Sequence, residues 1–88
     1  MTEAEVTVVN RLGLHARPSA KVSAVAGKFA AEVWLTKNAR RVNAKSIMGV
    51  MMLAAARGST LKIEADGPDE AEAVAALREL IETGFDEE

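Results

Sequence analysis

The spacing of apolar and polar positions changes several times along the 88 residues, and each change marks an element. Residues 5–9, Glu-Val-Thr-Val-Val, are rich in β-branched side chains and predict a strand. Residues 10–14 contain Gly13 and read as a loop. Pro18 sits where a first helical turn tolerates a missing N–H. Beyond it Val22, Val25, Ala26 and Phe29 fall at i, i+3, i+4 and i+7, one face of a helix that Gly27 and Lys28 suit as an end. Residues 32–36 alternate, with Val33 and Leu35 on one face and Trp34 on the other, an exposed or edge position. Asn38-Ala39 predicts a hairpin turn into residues 41–43, weaker than Asn-Gly because alanine resists positive φ. Ser46 is placed to cap a short apolar helix from Ile47 to about Arg57-Gly58.

Residues 60–65 alternate cleanly, with Leu61, Ile63 and Ala65 opposite Thr60, Lys62 and Glu64. Gly67-Pro68-Asp69 opens a last helix, with Asp69 and Glu72 spaced as a capping box and Val74, Leu77 and Ile81 as its buried stripe. Gly84 fits the left-handed position after that helix, and Phe85 is placed to fold back on Leu80. The order is β-α-β-β-α-β-α. Alternating strands predict a sheet covered on one face and wet on the other. The expected fold is therefore α+β: a two-layer open-faced sandwich, its four-stranded antiparallel sheet covered on one face by three helices. A single domain over residues 1–88 is expected, with residues 86–88 as a frayed acidic tail.

Composition narrows the function. Hydrophobic residues make up 49% of the chain, which fits a folded domain rather than a disordered one. There is no cysteine, so thiol chemistry, disulfides and cysteine metal sites are excluded. There is one histidine, His15, so a multi-histidine metal site is excluded too. The longest apolar run, residues 47–56, is too short to cross a bilayer, and residues 1–5 are not a secretory signal. No membrane insertion and a cytoplasmic location are the expectations. Charge is sorted along the chain: residues 1–62 hold 10 Lys or Arg against 3 Asp or Glu, while residues 63–88 hold 1 against 10. A basic front suits an acidic protein partner, a phosphate or a nucleic acid; a merely solvated surface is the plainer reading.

The chemistry concentrates in residues 13–18, Gly-Leu-His-Ala-Arg-Pro. His15 lies between a glycine-containing loop and a helix start. The free N–H groups and partial positive charge there disfavour an imidazolium and favour an added anion. A neutral, nucleophilic ring is expected, with Arg17 able to bring a guanidinium to the same oxygens. A surface or capping histidine with no further role is the plain alternative. Ser46 has its own plain role as an N-cap. Of the apolar cluster Ile47, Met48, Met51 and Met52, a thin layer cannot bury every member, and Val50, Leu53 and one methionine are expected in the core.

Residues 13–18 resemble the active-site signature of the HPr/NPr family, phosphocarriers of the bacterial phosphoenolpyruvate-dependent phosphotransferase system. Residues 45–51, Lys-Ser-Ile-Met-Gly-Val-Met, resemble that family's regulatory-serine segment, and the element order and length agree over the whole chain. The resemblance implies that His15 accepts a phosphoryl group on Nδ1 from phosphorylated Enzyme I and passes it to EIIA-type domains. It implies that Arg17 and the Ala16 backbone amide stabilise that group, and that no metal or cofactor is needed. The protein would be a stoichiometric relay rather than an enzyme. Ser46 would be a target of HPr kinase/phosphorylase, a phosphate there acting by repulsion of acidic partners. Ala20, Ile47, Met48 and Met51 would dock partners through an adaptable apolar patch. A monomer is expected, since the relay exposes His15 to several partners in turn.

The family has a sugar-transport branch and a nitrogen-related regulatory branch. Residues 10–14 and 83–88 look more like the nitrogen branch, and sugar-branch members often carry a small polar residue where Leu12 stands, whereas residues 45–51 occur in both. Other classes fare worse. A nucleic-acid-binding domain fits the basic front, but aromatic content is 3% and there is no stacking pair on a strand. A small-ligand regulatory domain would bind a metabolite regardless of His15. A self-sufficient hydrolase or kinase lacks paired carboxylates or a P-loop.

Overall fold

The computed structural model describes residues 1–86. Its elements are β1 (Thr2–Thr7), α1 (Ala16–Ala26), β2 (Glu32–Lys37), β3 (Arg40–Asn43), α2 (Ile47–Met52), β4 (Thr60–Asp66), α3 (Glu70–Glu82) and a closing 3-10 turn, Gly84–Asp86. The strands form one antiparallel sheet in the order β1-β4-β2-β3. The fold is the expected two-layer sandwich. The expected fraying of residues 87–88 lies outside the described residues.

The core lies between the sheet and the helices. Val6, Val33, Leu35, Leu61, Ile63 and Ala65 enter it from the strands, and Val22, Ala26, Val50, Val74, Leu77 and Ile81 from the helices. Burial of this apolar surface is the main drive for the two layers to close. Phe85, fully buried, seals the end of α3 after Gly84 turns the chain with a φ of 71°. The Lys21 Nζ on α1 donates to the Phe85 carbonyl at 2.6 Å, placing a cation at the carbonyl end of α3.

Several boundaries differ from the pattern, each for a tertiary reason. The first strand is Thr2–Thr7 rather than residues 5–9, because its partner β4 pairs Thr2 with Ala65 and Thr7 with Thr60. Helix α2 stops at Met52, well short of residues 57–58. Ala54 takes a left-handed φ of 51°, and cations from the β2–β3 hairpin seize the last carbonyls: Arg40 donates to Met52 at 3.1 Å and Lys37 to Ala54 at 3.2 Å. In that hairpin Asn38 alone takes positive φ, 55°, so Ala39 is spared the conformation it resists.

The predicted capping box at α3 is also rearranged. The Asp69 carboxylate accepts from the backbone N–H groups of Ala30 and Ala31 at 2.8 and 2.9 Å, and Glu70, not Glu72, reaches back to the Gly67 N–H at 3.0 Å. Trp34 is half-buried on an interior strand, not an edge one, with the Arg41 guanidinium 4.0 Å from its ring centre. Arg41 also pairs with Glu64 at 3.2 Å, which leaves Glu64 buried although it belongs to the open face.

Candidate functional site

Helix α1 begins where the loop after β1 is pinned in place. Gly13 has φ 68°, and a Cβ there would stand 2.4 Å from the Ala55 carbonyl oxygen, so the position requires glycine. The Gly13 N–H donates to the Asn10 carbonyl at 3.2 Å, the Asn10 Nδ2 donates to the Gly13 carbonyl at 2.7 Å, and the Leu14 N–H donates to the Ala55 carbonyl at 2.9 Å. Buried Leu14 anchors the loop in the core. Asn10 is itself buried, a structural residue that the sequence reading passed over; an asparagine three residues before a glycine was its signal.

His15 follows as the N-cap of α1, with extended backbone and a half-buried side chain. Its carbonyl accepts the first helical bond, from the Ser19 N–H at 3.0 Å, and the Ser19 hydroxyl donates to the Leu14 carbonyl at 3.3 Å. Pro18 has no N–H to offer, so the donors that the helix start directs outward are those of Ala16 and Arg17. The first turn carries no acidic residue, and Ala16 and Arg17 are both exposed. The arrangement sets an imidazole, two amide donors and a guanidinium at one partly exposed helix end, which suits a transient anion.

The second segment packs alongside, because α1 runs against α2. The Ser23 hydroxyl ties α1 to the Ala44 carbonyl at 3.2 Å, just before α2 begins. Ser46 caps α2, its Oγ accepting from the Gly49 N–H at 3.0 Å. Val50 and Leu53 are buried as expected, but no methionine joins them. Met48 is 70% exposed, Met52 58% and Met51 38%, with Ile47 at 45%. A six-residue helix offers only one turn and a half to the core, and Val50 fills it. Ala20, on the α1 side, is half-buried. No helix of the described residues is long and apolar enough to cross a membrane.

This small domain offers one histidine at a helix start, beside an exposed apolar helix, a place suited to an anionic group. Comparison with known proteins makes this specific. The family model described as PTS HPr component phosphorylation site matches residues 2–83. The phosphocarrier protein HPr of Cupriavidus necator is 55% identical over 87 residues, covering 99% of this chain and 98% of that protein. The HPr of Neisseria meningitidis serogroup A is 54% identical over the same share. The crystal structure of HPr from Thermoanaerobacter tengcongensis superposes with a TM-score of 0.96 at 46% identity, covering all of this chain and 99% of that one. The chain belongs to the HPr family of phosphocarriers of the phosphotransferase system.

Proposed function

We propose that His15 is the phosphoryl acceptor. Its Nδ1 takes the group from phosphorylated Enzyme I and yields it to a histidine of an EIIA-type domain. The observation that carries this reading is the single histidine capping a helix whose first turn holds no acidic residue, with Arg17 two residues on. On acceptance an N–P bond forms at Nδ1 while the P–N bond on Enzyme I breaks. On delivery the Nδ1–P bond breaks while a new N–P bond forms on the acceptor histidine. Each time the electron pair of the broken bond stays with the donor's ring. Like bonds are exchanged, so transfer in either direction faces little thermodynamic slope. Arg17 and the Ala16 amide meet the phosphoryl charge, which disposes of any need for a metal. The protein is then a stoichiometric relay, consumed and regenerated, acting as one domain over residues 1–88, as a monomer in the cytoplasm.

Two surfaces complete the reading. Ala20, Ile47, Met48 and Met51 dock the partners; exposed apolar side chains packed this densely are otherwise a cost to a soluble surface. Ser46 is the target of an HPr kinase/phosphorylase. Its Oγ already accepts from the Gly49 N–H, so phosphorylation adds charge at an existing contact and slows the approach of acidic partners. The relay serves sugar uptake or nitrogen-related regulation.

The test is intact mass after incubation with phosphoenolpyruvate and Enzyme I of each branch separately. One acid-labile phosphoryl group is expected, absent from His15→Ala, and the faster donor assigns the branch. No uptake from either donor by the folded protein would refute the reading.

A further inference from the structure

Leu12 is 70% exposed, as much as any large apolar side chain of the described residues, and packs into no part of the core. It stands three residues before His15 on the loop pinned by Gly13, Asn10 and Ala55. We infer that Leu12 is a specificity-determining contact for the phosphoryl-donor protein, seated in an apolar socket with an acidic rim on that partner. The inference rests on the proposed relay and adds a residue to its recognition surface.

Distance puts Leu12 inside any productive interface. Three residues span at most about 11 Å even when extended. A partner that brings its own phosphohistidine to His15 covers about 800 Å² of this surface, a disc of roughly 16 Å radius. Leu12 therefore falls under the partner's footprint. The hydrogen bonds of the loop hold it in fixed register with the imidazole, so its position is set before binding and little order is lost on docking.

Charge identifies the occupant. Arg11, beside Leu12 in sequence, is exposed. So is Arg57, which follows Ala56, and the Ala56 Cα lies 2.9 Å from a Cβ placed on Gly13. An apolar centre with two exposed arginines nearby has the anatomy of a protein interface, an anchor beside a charged rim. A donor that sets a polar group opposite Leu12 would leave that group dehydrated and unpaired, so the leucine also rejects donors of the wrong kind.

The experiment measures initial rates of phosphoryl acceptance from phosphorylated Enzyme I against carrier concentration, for wild type, Leu12→Asn and Leu12→Met. In Leu12→Asn, KM should rise about tenfold with kcat unchanged, the size expected for losing one leucine's burial. Leu12→Met should stay within twofold of wild type, because methionine keeps the apolar volume. Both variants should melt with the wild type, since Leu12 supports no core contact. A KM for Leu12→Asn within twofold of wild type overturns the inference and leaves the relay standing. A fall in kcat instead, or an equal loss in both variants, overturns it as well, for the loop rather than the contact would then be at fault. Wild type that accepts no phosphoryl group removes the relay itself, and this inference with it.

Discussion

At the start of α3 the first turn carries the chain's own anions, and the first turn of α1 carries no acidic residue. Asp69 accepts from the N–H groups of Ala30 and Ala31, and Glu70 from the Thr2 hydroxyl at 2.6 Å and the Gly67 N–H. Both carboxyls are held below their ordinary range, Asp69 chiefly by the Ala30 N–H. Glu70 is brought down to about 2, first by the Thr2 hydroxyl and then by the Gly67 N–H. Glu70 and Glu72 also complement the dipole of α3. The first turn of α1 has no acid, an exposed arginine and a histidine as its cap. A helix start whose first turn carries its own acids has its dipole complemented from within and belongs to the scaffold. One whose first turn carries no acid suits an anion that arrives and leaves.

The largest effect should come from giving α1 what α3 has. Arg17→Glu puts an acid in the first turn of α1. Phosphoryl acceptance should fall roughly 10²–10³-fold, the usual consequence of losing a stabilising group at a site of developing charge. The helix itself should gain about 0.3–1 kcal/mol from its dipole, so the melting temperature holds or rises by a few degrees. Wild-type acceptance by this variant would show that the absent acid has no bearing on function. Gly13→Ala should come next. It forces φ 68° on alanine and drives a methyl toward the Ala55 carbonyl. A loss of about 2 kcal/mol or more is expected, roughly 8 °C or more in melting temperature, together with slower acceptance as His15 shifts.

The comparison also shows which parts of the molecule were legible beforehand. Short-range signals read well. The alternation of residues 60–65, the Asn38 turn, the Ser46 cap, Gly84 and the His15 helix start are each decided by neighbours within a few positions. The misread features depend on residues far away in sequence. Asp69 looked like half of a capping box, but its carboxylate bonds to amides 38 and 39 residues distant. Helix α2 looked longer because nothing local announces that Lys37 and Arg40 will take its last carbonyls. Glu64 read as a wet-face residue because no sequence period foretells Arg41 lying across both it and Trp34. Of the site, residue identities were legible and the loop's support was not: Asn10 acts through a bond to Gly13 that only the folded turn creates.

Helix α2 offers an intermediate case, a start answered by a neutral hydroxyl. Ser46→Ala removes the bond to the Gly49 N–H and should cost about 1 kcal/mol, seen as a fall of roughly 4–8 °C in melting temperature. Acceptance by His15 should be unchanged. Ser46→Asp should instead accept phosphate from Enzyme I more slowly, and equal rates would remove the repulsion argument for a regulatory phosphate.

The smallest effect isolates the scaffold side of the comparison. The Glu70 carboxyl sits at about 2 in the folded protein against an ordinary 4.5. The folded state therefore binds this proton less readily than the unfolded chain, and the ionised group stabilises the fold. That contribution is complete above about pH 4.5 and disappears as pH falls from 4.5 towards 2. Glu70→Gln keeps the side chain's shape but removes its titration. The variant should melt below wild type at pH 7, with the gap closing towards pH 2. Asp69 titrates in both proteins and leaves the difference between them unaffected. Acceptance at His15 should be the same in both at pH 7, because the charge lost lies at the helix start already committed to structure. A melting gap that stays constant from pH 7 to pH 2 would mean that Glu70 acts through its shape alone, and the contrast between the two helix starts would then rest on Asp69.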